Sequence, residues 1–307
     1  MKMFEEIRFA SSPTVLAAWP GMGNVGLITV DYLRTKLDAK VFAEIDMSPF
    51  FIPDSIVVKD GIAQLPDIPK SVFYHVHDPD LIIFESNAQL SGREGIMIIK
   101  MILEVLGQFS VQRIFTFAAF AQPMSHADDS HALITCNTAA MFESIKKEDV
   151  QPMPDGYIAG LNGLLLGVAA SRRIDAACLL GTIPSYATNL SYPKAALALV
   201  RSIRSLTGLE IDTGDLEEGV ESMEQQFDLI EERIREFIPS LNREEAEDIA
   251  EIEDERVPHV VMEKIEQLFA EAADNRDKAT ELKNELDRWK LYELYENRFL
   301  DLFREKR

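Results

Sequence analysis

Trp19-Pro20-Gly21-Met22-Gly23-Asn24-Val25-Gly26 is the stretch on which the reading of this chain turns. Before it stands an apolar run, Thr14-Val15-Leu16-Ala17-Ala18, that reads as a buried strand. After it, residues 27–37 space their apolar side chains as a helix does. Strand, glycine turn and helix start together form the arrangement that cradles anions. Glycine lets the backbone turn sharply, and the first N–H groups of a helix carry partial positive charge. Three uses of the turn stay open. Gly21, Gly23 and Gly26 match the dinucleotide fingerprint, with Asp46 downstream as a ribose-binding acid. Gly21, Met22, Gly23, Asn24 and Gly26 also suit a phosphate or small anion. The third use, a purely structural tight turn, is favoured, because a lone fingerprint is a weak sign.

Outward from the turn, strand and helix patterns alternate as far as residue 209. Residues 41–45, 72–76, 81–84, 114–118, 133–136 and 176–180 are short apolar runs that read as strands. Asp60-Gly61 between Ile56-Val57-Val58 and Ile62-Ala63 signals a hairpin. Residues 91–109 read as a helix with Ser91 as N-cap and Glu94 closing a capping box. Residues 157–173 form a glycine-bearing helix pattern, and a further helix starts at Pro193 and stops at Gly208. The expected fold is therefore α/β: a mixed, mostly parallel sheet flanked by helices on both faces. From residue 215 onward there is no strand signal: residues 216–238 read as a helix that stops at Pro239, residues 242–255 are acidic with few apolar side chains, and residues 258–303 read as one or two helices. Leu282, Leu286, Trp289, Tyr292, Tyr295 and Phe299 recur at three- and four-residue steps and make a wide apolar stripe. The chain divides into an α/β domain over residues 1–238 and an acidic helical extension over 239–307.

Composition narrows the function classes. Apolar residues make up 47% of the 307, enough for a large packed core. The net charge is −21, from 52 acidic against 31 basic side chains. Residues 213–307 hold 29 of those acids against 14 bases, so the two parts differ physically. So acidic a chain is not expected to bind nucleic acid or an anionic membrane surface. The acidic N-terminus lacks a leader pattern, and no apolar run reaches membrane-spanning length. Cys136 and Cys178 lie in apolar runs and are expected as buried free thiols. The expected location is cytoplasmic.

With these segments placed, the chain resembles the PAC2 family, proteins like proteasome assembly chaperone 2. The resemblance rests on Pro20-Gly21-Met22-Gly23-Asn24-Val25-Gly26 and on Glu44-Ile45-Asp46 followed by Phe50-Phe51. It extends to Gly160-Leu161-Asn162-Gly163-Leu164-Leu165-Leu166-Gly167, and to Leu179-Leu180-Gly181-Thr182-Ile183-Pro184-Ser185-Tyr186 followed by Pro193-Lys194-Ala195-Ala196. It implies a sandwich like that of nucleoside phosphorylases, a homo-oligomer, and a chaperone or adaptor role beside proteasome-like complexes rather than an enzyme. Some members carry the label carboxylate–amine ligase or ATP-grasp, which keeps a small-molecule enzyme or binder open as the alternative. The final residues, Arg304-Glu305-Lys306-Arg307, depart from the hydrophobic-Tyr-any tail of proteasome-docking members.

Candidate chemistry gathers where parallel strands end. Gly21 to Gly26 after the first strand, Glu85 and Asn87 after residues 81–84, and Gly181 to Tyr186 after the last strand all fall there. The resemblance adds His126, at a recurrent loop position. His75 and His77 share one strand face, and His126 and His131 flank Asp128 and Asp129. Paired histidines on strands are common without metal, so neither a metal nor a cofactor is expected. Trp289, Tyr292, Tyr295 and Phe299 are the candidates for oligomer or partner contact.

Overall fold

The computed structural model describes residues 1–51, 53, 55–145 and 150–237. It also describes Leu268, Phe269, Ala272, Lys278, Ala279, Leu282, Lys283 and Leu286. The chain forms two compact units, Met1–Ser240 and Leu241–Arg307.

In the first unit the strands are β1 (Lys2–Met3), β2 (Thr14–Ala18), β3 (Lys40–Ile45), β4 (Val57–Lys59), β5 (Ile62–Gln64), β6 (Ser71–His77), β7 (Asp80–Ser86), β8 (Arg113–Gln122), β9 (Ala132–Cys136), β10 (Val150–Pro152) and β11 (Asp175–Pro184). The helices are α1 (Val25–Lys36), α2 (Gly92–Gly107), α3 (Ala139–Ile145), α4 (Gly160–Ser171), α5 (Pro193–Thr207) and α6 (Gly214–Phe237). Among the described residues, nine strands form one sheet in the order β1-β3-β6-β7-β2-β8-β11-β9-β10, and β4 pairs with β5 in a separate two-stranded sheet. The central strands β7, β2, β8 and β11 run parallel. β6 and β3 on one side, and β9 on the other, are antiparallel to their inner neighbours.

The alternation of strand side chains explains the two cores. Leu16 and Ala18 of β2 face one way and join α1 and α5 through Val30, Leu33, Leu199 and Val200. Val15 and Ala17 face the other way and join α2 and α4 through Ile98, Ile102, Leu161 and Leu165. A strand buried on both faces has no polar side to offer, which is why β2 and β11 read as unbroken apolar runs. In α2, Ile98, Ile99, Ile102, Leu103 and Leu106 are buried at three- and four-residue steps, the spacing of one helix face.

Several local expectations need correction. Ser91 does precede α2, but its side chain makes no capping hydrogen bond. Instead its carbonyl accepts the Gly95 N–H at 3.2 Å. The glycine-bearing helix starts at Gly160, leaving Tyr157 outside and exposed. Gly181 to Pro184 belong to β11 rather than to a loop. β1, β10 and α3 carried too few residues to stand out in the sequence.

His75 shows how a polar group is tolerated inside. Its ring is buried with no hydrogen-bond partner on either nitrogen. The His77 ring lies 4.7 Å away, and the Glu5 carboxylate stands 3.7 Å from Nε2, too far for a hydrogen bond. Burial, helped by His77 and opposed by Glu5, holds its pKa below the ordinary 6.5. In this range the unfolded chain binds the extra proton more readily, so acid favours unfolding. Stability from this group is fully present above the ordinary value and is lost as pH falls below it. Urea midpoints measured from roughly pH 8 down to pH 5 should fall, and His75→Gln should flatten that fall. A midpoint that rises with acid, or a variant curve parallel to the native one, would contradict this account.

In the second unit the described positions are helical. Leu268, Ala272, Leu282 and Leu286 are buried, at the four-residue spacing of a helix face. Trp289, Tyr292, Tyr295 and Phe299 lie outside the described residues.

Candidate functional site

The glycine turn is closed from within. Gly23 has φ +59°, and a Cβ there would stand 3.1 Å from Tyr192 Cβ and 3.2 Å from Val25 Cγ2. Its N–H donates to the Thr188 carbonyl at 2.7 Å, and its carbonyl accepts the Tyr192 N–H at 2.9 Å. Asn24 N–H donates to the Gly21 carbonyl, and Val25 N–H to that of Met22. Three successive amides of the turn are thus spent inside the protein, which weighs against an anion cradle. Asn24 is itself left-handed at φ 55°, a conformation asparagine tolerates better than most residues. Gly21 needs no glycine: its backbone is extended and nothing lies within 4 Å of its Cβ position. Gly23→Ala should cost about 1–2 kcal/mol from backbone strain and crowding, and Gly21→Ala less than about 0.5. Thermal melts of the two variants side by side check this, and equal losses would refute it.

Gly26 and Gly181 serve packing. A Cβ on Gly26 would meet the Phe117 carbonyl oxygen of β8 at 2.3 Å. A Cβ on Gly181 would meet both Cβ and O of Ala195 at 2.9 Å, so α5 lies hard against β11. Around the turn, Gln89 Nε2 donates to the Pro20 carbonyl and Gln89 Oε1 accepts the Leu161 N–H. Buried Asn162 accepts the Trp19 N–H through Oδ1, and its own carbonyl accepts the Thr116 hydroxyl. Gln89 gave no sequence signal. Asn162 entered the sequence reading only as part of the glycine-bearing stretch Gly160–Gly167, with no role of its own.

A cleft of about 390 Å³ opens between α1 and the strand ends, lined by Asn24, Asp31, Lys70, Tyr74, Glu85 and Asn87 among others. It brings together three of the sequence candidates: Asn24, Glu85 and Asn87. Glu85 is not free for chemistry. Arg34 Nε donates to its Oε1 at 2.9 Å, and the guanidinium sits 5.0 Å over the Tyr74 ring. Arg34 also pairs with Asp31. Burial pushes the Glu85 carboxyl up, against the pull of Arg34. Asn87 and Lys70 clasp each other: Oδ1 of Asn87 accepts the Lys70 N–H, and Asn87 N–H donates to the Lys70 carbonyl. Met22 is exposed beside the turn and is not among the cleft-lining residues.

His126 and Tyr186 form a second group. Tyr186 Oη accepts the His126 N–H at 2.8 Å and lies 3.2 Å from its Nδ1. His126 Nε2 is 3.0 Å from Asp228 Oδ1 of α6, and its ring stacks on Phe227 at 5.3 Å. Lys194 Nζ donates to the His126 carbonyl and to Glu224 of α6. These contacts fasten α6 to the loop after β8. Lys194, Arg34 and Asp228 had not stood out in the sequence as site residues.

Asp46 cannot serve the turn as a ribose acid. β3 lies three strand spacings from β2, roughly 14 Å across the sheet. Its carboxylate accepts the Ser48 N–H and hydroxyl instead. His131 is exposed and turns to the Asp129 carbonyl. Among the described residues no group of three or more His, Cys, Asp or Glu side chains is placed to hold a metal ion. Cys136 and Cys178 are free thiols; Cys178 is buried as expected, whereas Cys136, near the end of β9, is only half-buried, and desolvation raises the pKa of Cys178 to about 12 and that of Cys136 to about 11. No helix among the described residues is long and apolar enough to cross a membrane.

The fold recurs in solved structures. PbaB of Pyrococcus furiosus, an archaeal proteasome activator, matches at 24% identity and TM-score 0.64, over 75% of this chain and 97% of PbaB. PbaA of the same organism, an archaeal homolog of proteasome-assembly chaperone, matches at 21% and 0.60, over 78% and 95%. A Mycobacterium tuberculosis proteasome-assembly chaperone homologue matches at 19% and 0.60, over 70% and 94%. At these identities the likeness shows a shared fold. No curated protein matches the sequence. The sequence profile of the PAC2 family matches residues 15–231. With the glycine turn, the glycine-bearing helix and the end of β11 all inside that span, this chain belongs to the PAC2 family.

Proposed function

We propose that this protein is an assembly chaperone or adaptor that works in the cytoplasm as a homo-oligomer, through protein–protein contacts. The observation that carries this reading is family membership over residues 15–231, on a fold that covers nearly all of PbaB and PbaA. A proteasome-like complex is the partner it points to. The strand-end groups support a role other than catalysis. Glu85 is tied to Arg34, His126 to Asp228 and Tyr186, and Lys194 to Glu224. None of them stands as an acid, base or nucleophile aimed at open space, as a reaction would require.

Affinity purification from native cells, with mass spectrometry of bound proteins and small molecules, tests the reading. Recovery of subunits of a proteasome-like complex is the expected result. A stoichiometric small molecule without a protein partner would overturn it. The cleft of about 390 Å³ favours a second reading, a small-molecule binder. Nucleotides are not its expected ligand, since the turn's amides are spent and Asp46 is distant. Calorimetry with ATP or NAD at near-millimolar concentration should give no binding heat. Micromolar binding that is lost in Asn24→Ala would revive the second reading.

A further inference from the structure

The cleft between α1 and the strand ends holds opposite charges that do not touch. Asp31 and Glu85 share one partner, Arg34, so that side of the cleft keeps an excess of negative charge. Arg34 engages a single oxygen of each, Oδ1 of Asp31 and Oε1 of Glu85. Lys70 lines the same cleft, yet its ammonium pairs with neither acid and has no partner among the described residues. Asn87 stands beside it. The Asn87 Oδ1 is spent on the Lys70 N–H, which leaves the two Nδ2 hydrogens to donate elsewhere. Leu27, Ile28 and Val72 give the cleft a half-buried aliphatic wall, with Val72 opposite Glu85 across the β6–β7 pair. A positive and a negative group held apart beside an aliphatic wall match a molecule that carries both charges and an apolar body.

We propose that this cleft binds a free α-amino acid with an aliphatic side chain. Its ammonium meets the acidic side formed by Asp31 and Glu85. Its carboxylate meets Lys70 and the Asn87 amide, and its side chain rests on Leu27, Ile28 and Val72. Charge chooses among ligands. Asp31 and Glu85 balance Arg34 and Lys70, so the cleft itself is neutral, inside a chain of net charge −21. That surrounding field repels a net anion such as a nucleotide or a dicarboxylate. A simple amine would leave Lys70 unmatched, and a simple carboxylate would leave the acidic side unmatched. A zwitterion satisfies both and brings no net charge. Size agrees, since about 390 Å³ lies at the small end of ligand cavities. Charge-assisted hydrogen bonds at both ends fix the orientation, and burial of the side chain selects for an apolar one.

This inference rests on the small-molecule reading of the cleft and is independent of the assembly role. The test is calorimetry of the full chain with L-leucine, isocaproate and isoamylamine. The second is leucine without its amine, and the third is leucine without its carboxylate. Leucine should bind, and each one-charge analogue should bind at least about 10-fold more weakly. Lys70→Gln and Asp31→Asn change exposed side chains, with circular dichroism as the check on folding. Lys70→Gln should erase the advantage of leucine over isoamylamine and keep its advantage over isocaproate. Asp31→Asn should do the reverse. General damage to the fold would not give that crossed pattern. No heat with leucine at near-millimolar concentration would overturn the inference. So would an analogue that binds the native chain as tightly as leucine, or variants that leave all three affinities unchanged. A different kind of small molecule recovered with the chain from native cells, and blocked by Lys70→Gln, would overturn the amino-acid assignment while keeping the small-molecule reading.

Discussion

Gly26→Ala is expected to destabilise the protein by about 3 kcal/mol or more, or to stop it folding. The reason is distance. The new methyl carbon would stand 2.3 Å from the Phe117 carbonyl oxygen and 3.5 Å from Ala18 Cβ. Flexible side chains yield to such pressure, but Phe117 is buried in β8, hydrogen-bonded between β2 and β11 at the centre of the sheet. To accept the methyl, α1 would have to lift off the sheet, opening the core around Val30 and Leu33. Dense interiors transmit such shifts rather than absorb them. Denaturant midpoints on the purified variant give the cost. A loss below about 1 kcal/mol would mean that α1 moves freely and that this account of the turn is wrong.

His126→Ala should cost about 2–4 kcal/mol, and the damage should concentrate on α6. The substitution removes a buried ring stacked on Phe227, the contact with Asp228 and the contact with the Tyr186 hydroxyl. α6 keeps the Lys194–Glu224 and Arg201–Glu217 pairs, so it loosens rather than leaves. Hydrogen exchange should accelerate over residues 214–229 before the central strands respond. His126→Asn keeps some hydrogen bonding without the stack and should fall between the two. Exchange that rises evenly over the whole chain would show that His126 is general core rather than a fastening for α6.

The fold was legible where physics acts locally. Apolar runs such as those of β2, β8 and β11 cannot be anything but buried, and Asp60-Gly61 allows little but a hairpin turn. Gly208 ends α5 in the left-handed conformation its position suggested. What depends on sheet order was hidden. The spacing from Gly26 to Asp46 suited a dinucleotide site only if β3 lay beside β2, and β6 and β7 intervene. The glycines looked alike in sequence, yet Gly21 meets nothing while Gly26 meets a backbone carbonyl. The site was half legible. Asn24, Glu85 and Asn87 share one cleft, but the arginine that claims Glu85 comes from α1, far away in sequence. Whether a charged side chain is reactive or already paired is a tertiary fact, and local sequence carries no trace of it.

The position of β11 sets the order in which this protein can be completed. β8 and β9 are consecutive in the chain, but β11 is inserted between them. A ribosome delivers β8, β9 and β10 before the strand that must separate them. Until β11 emerges, the edge of β8, with apolar Ile114, Phe115 and Phe117, has no proper neighbour. An open edge of that kind pairs with whatever strand is at hand, including those of other nascent chains. The chain would then spend the middle of its own synthesis with that edge open to mispairing, as a client in need of help.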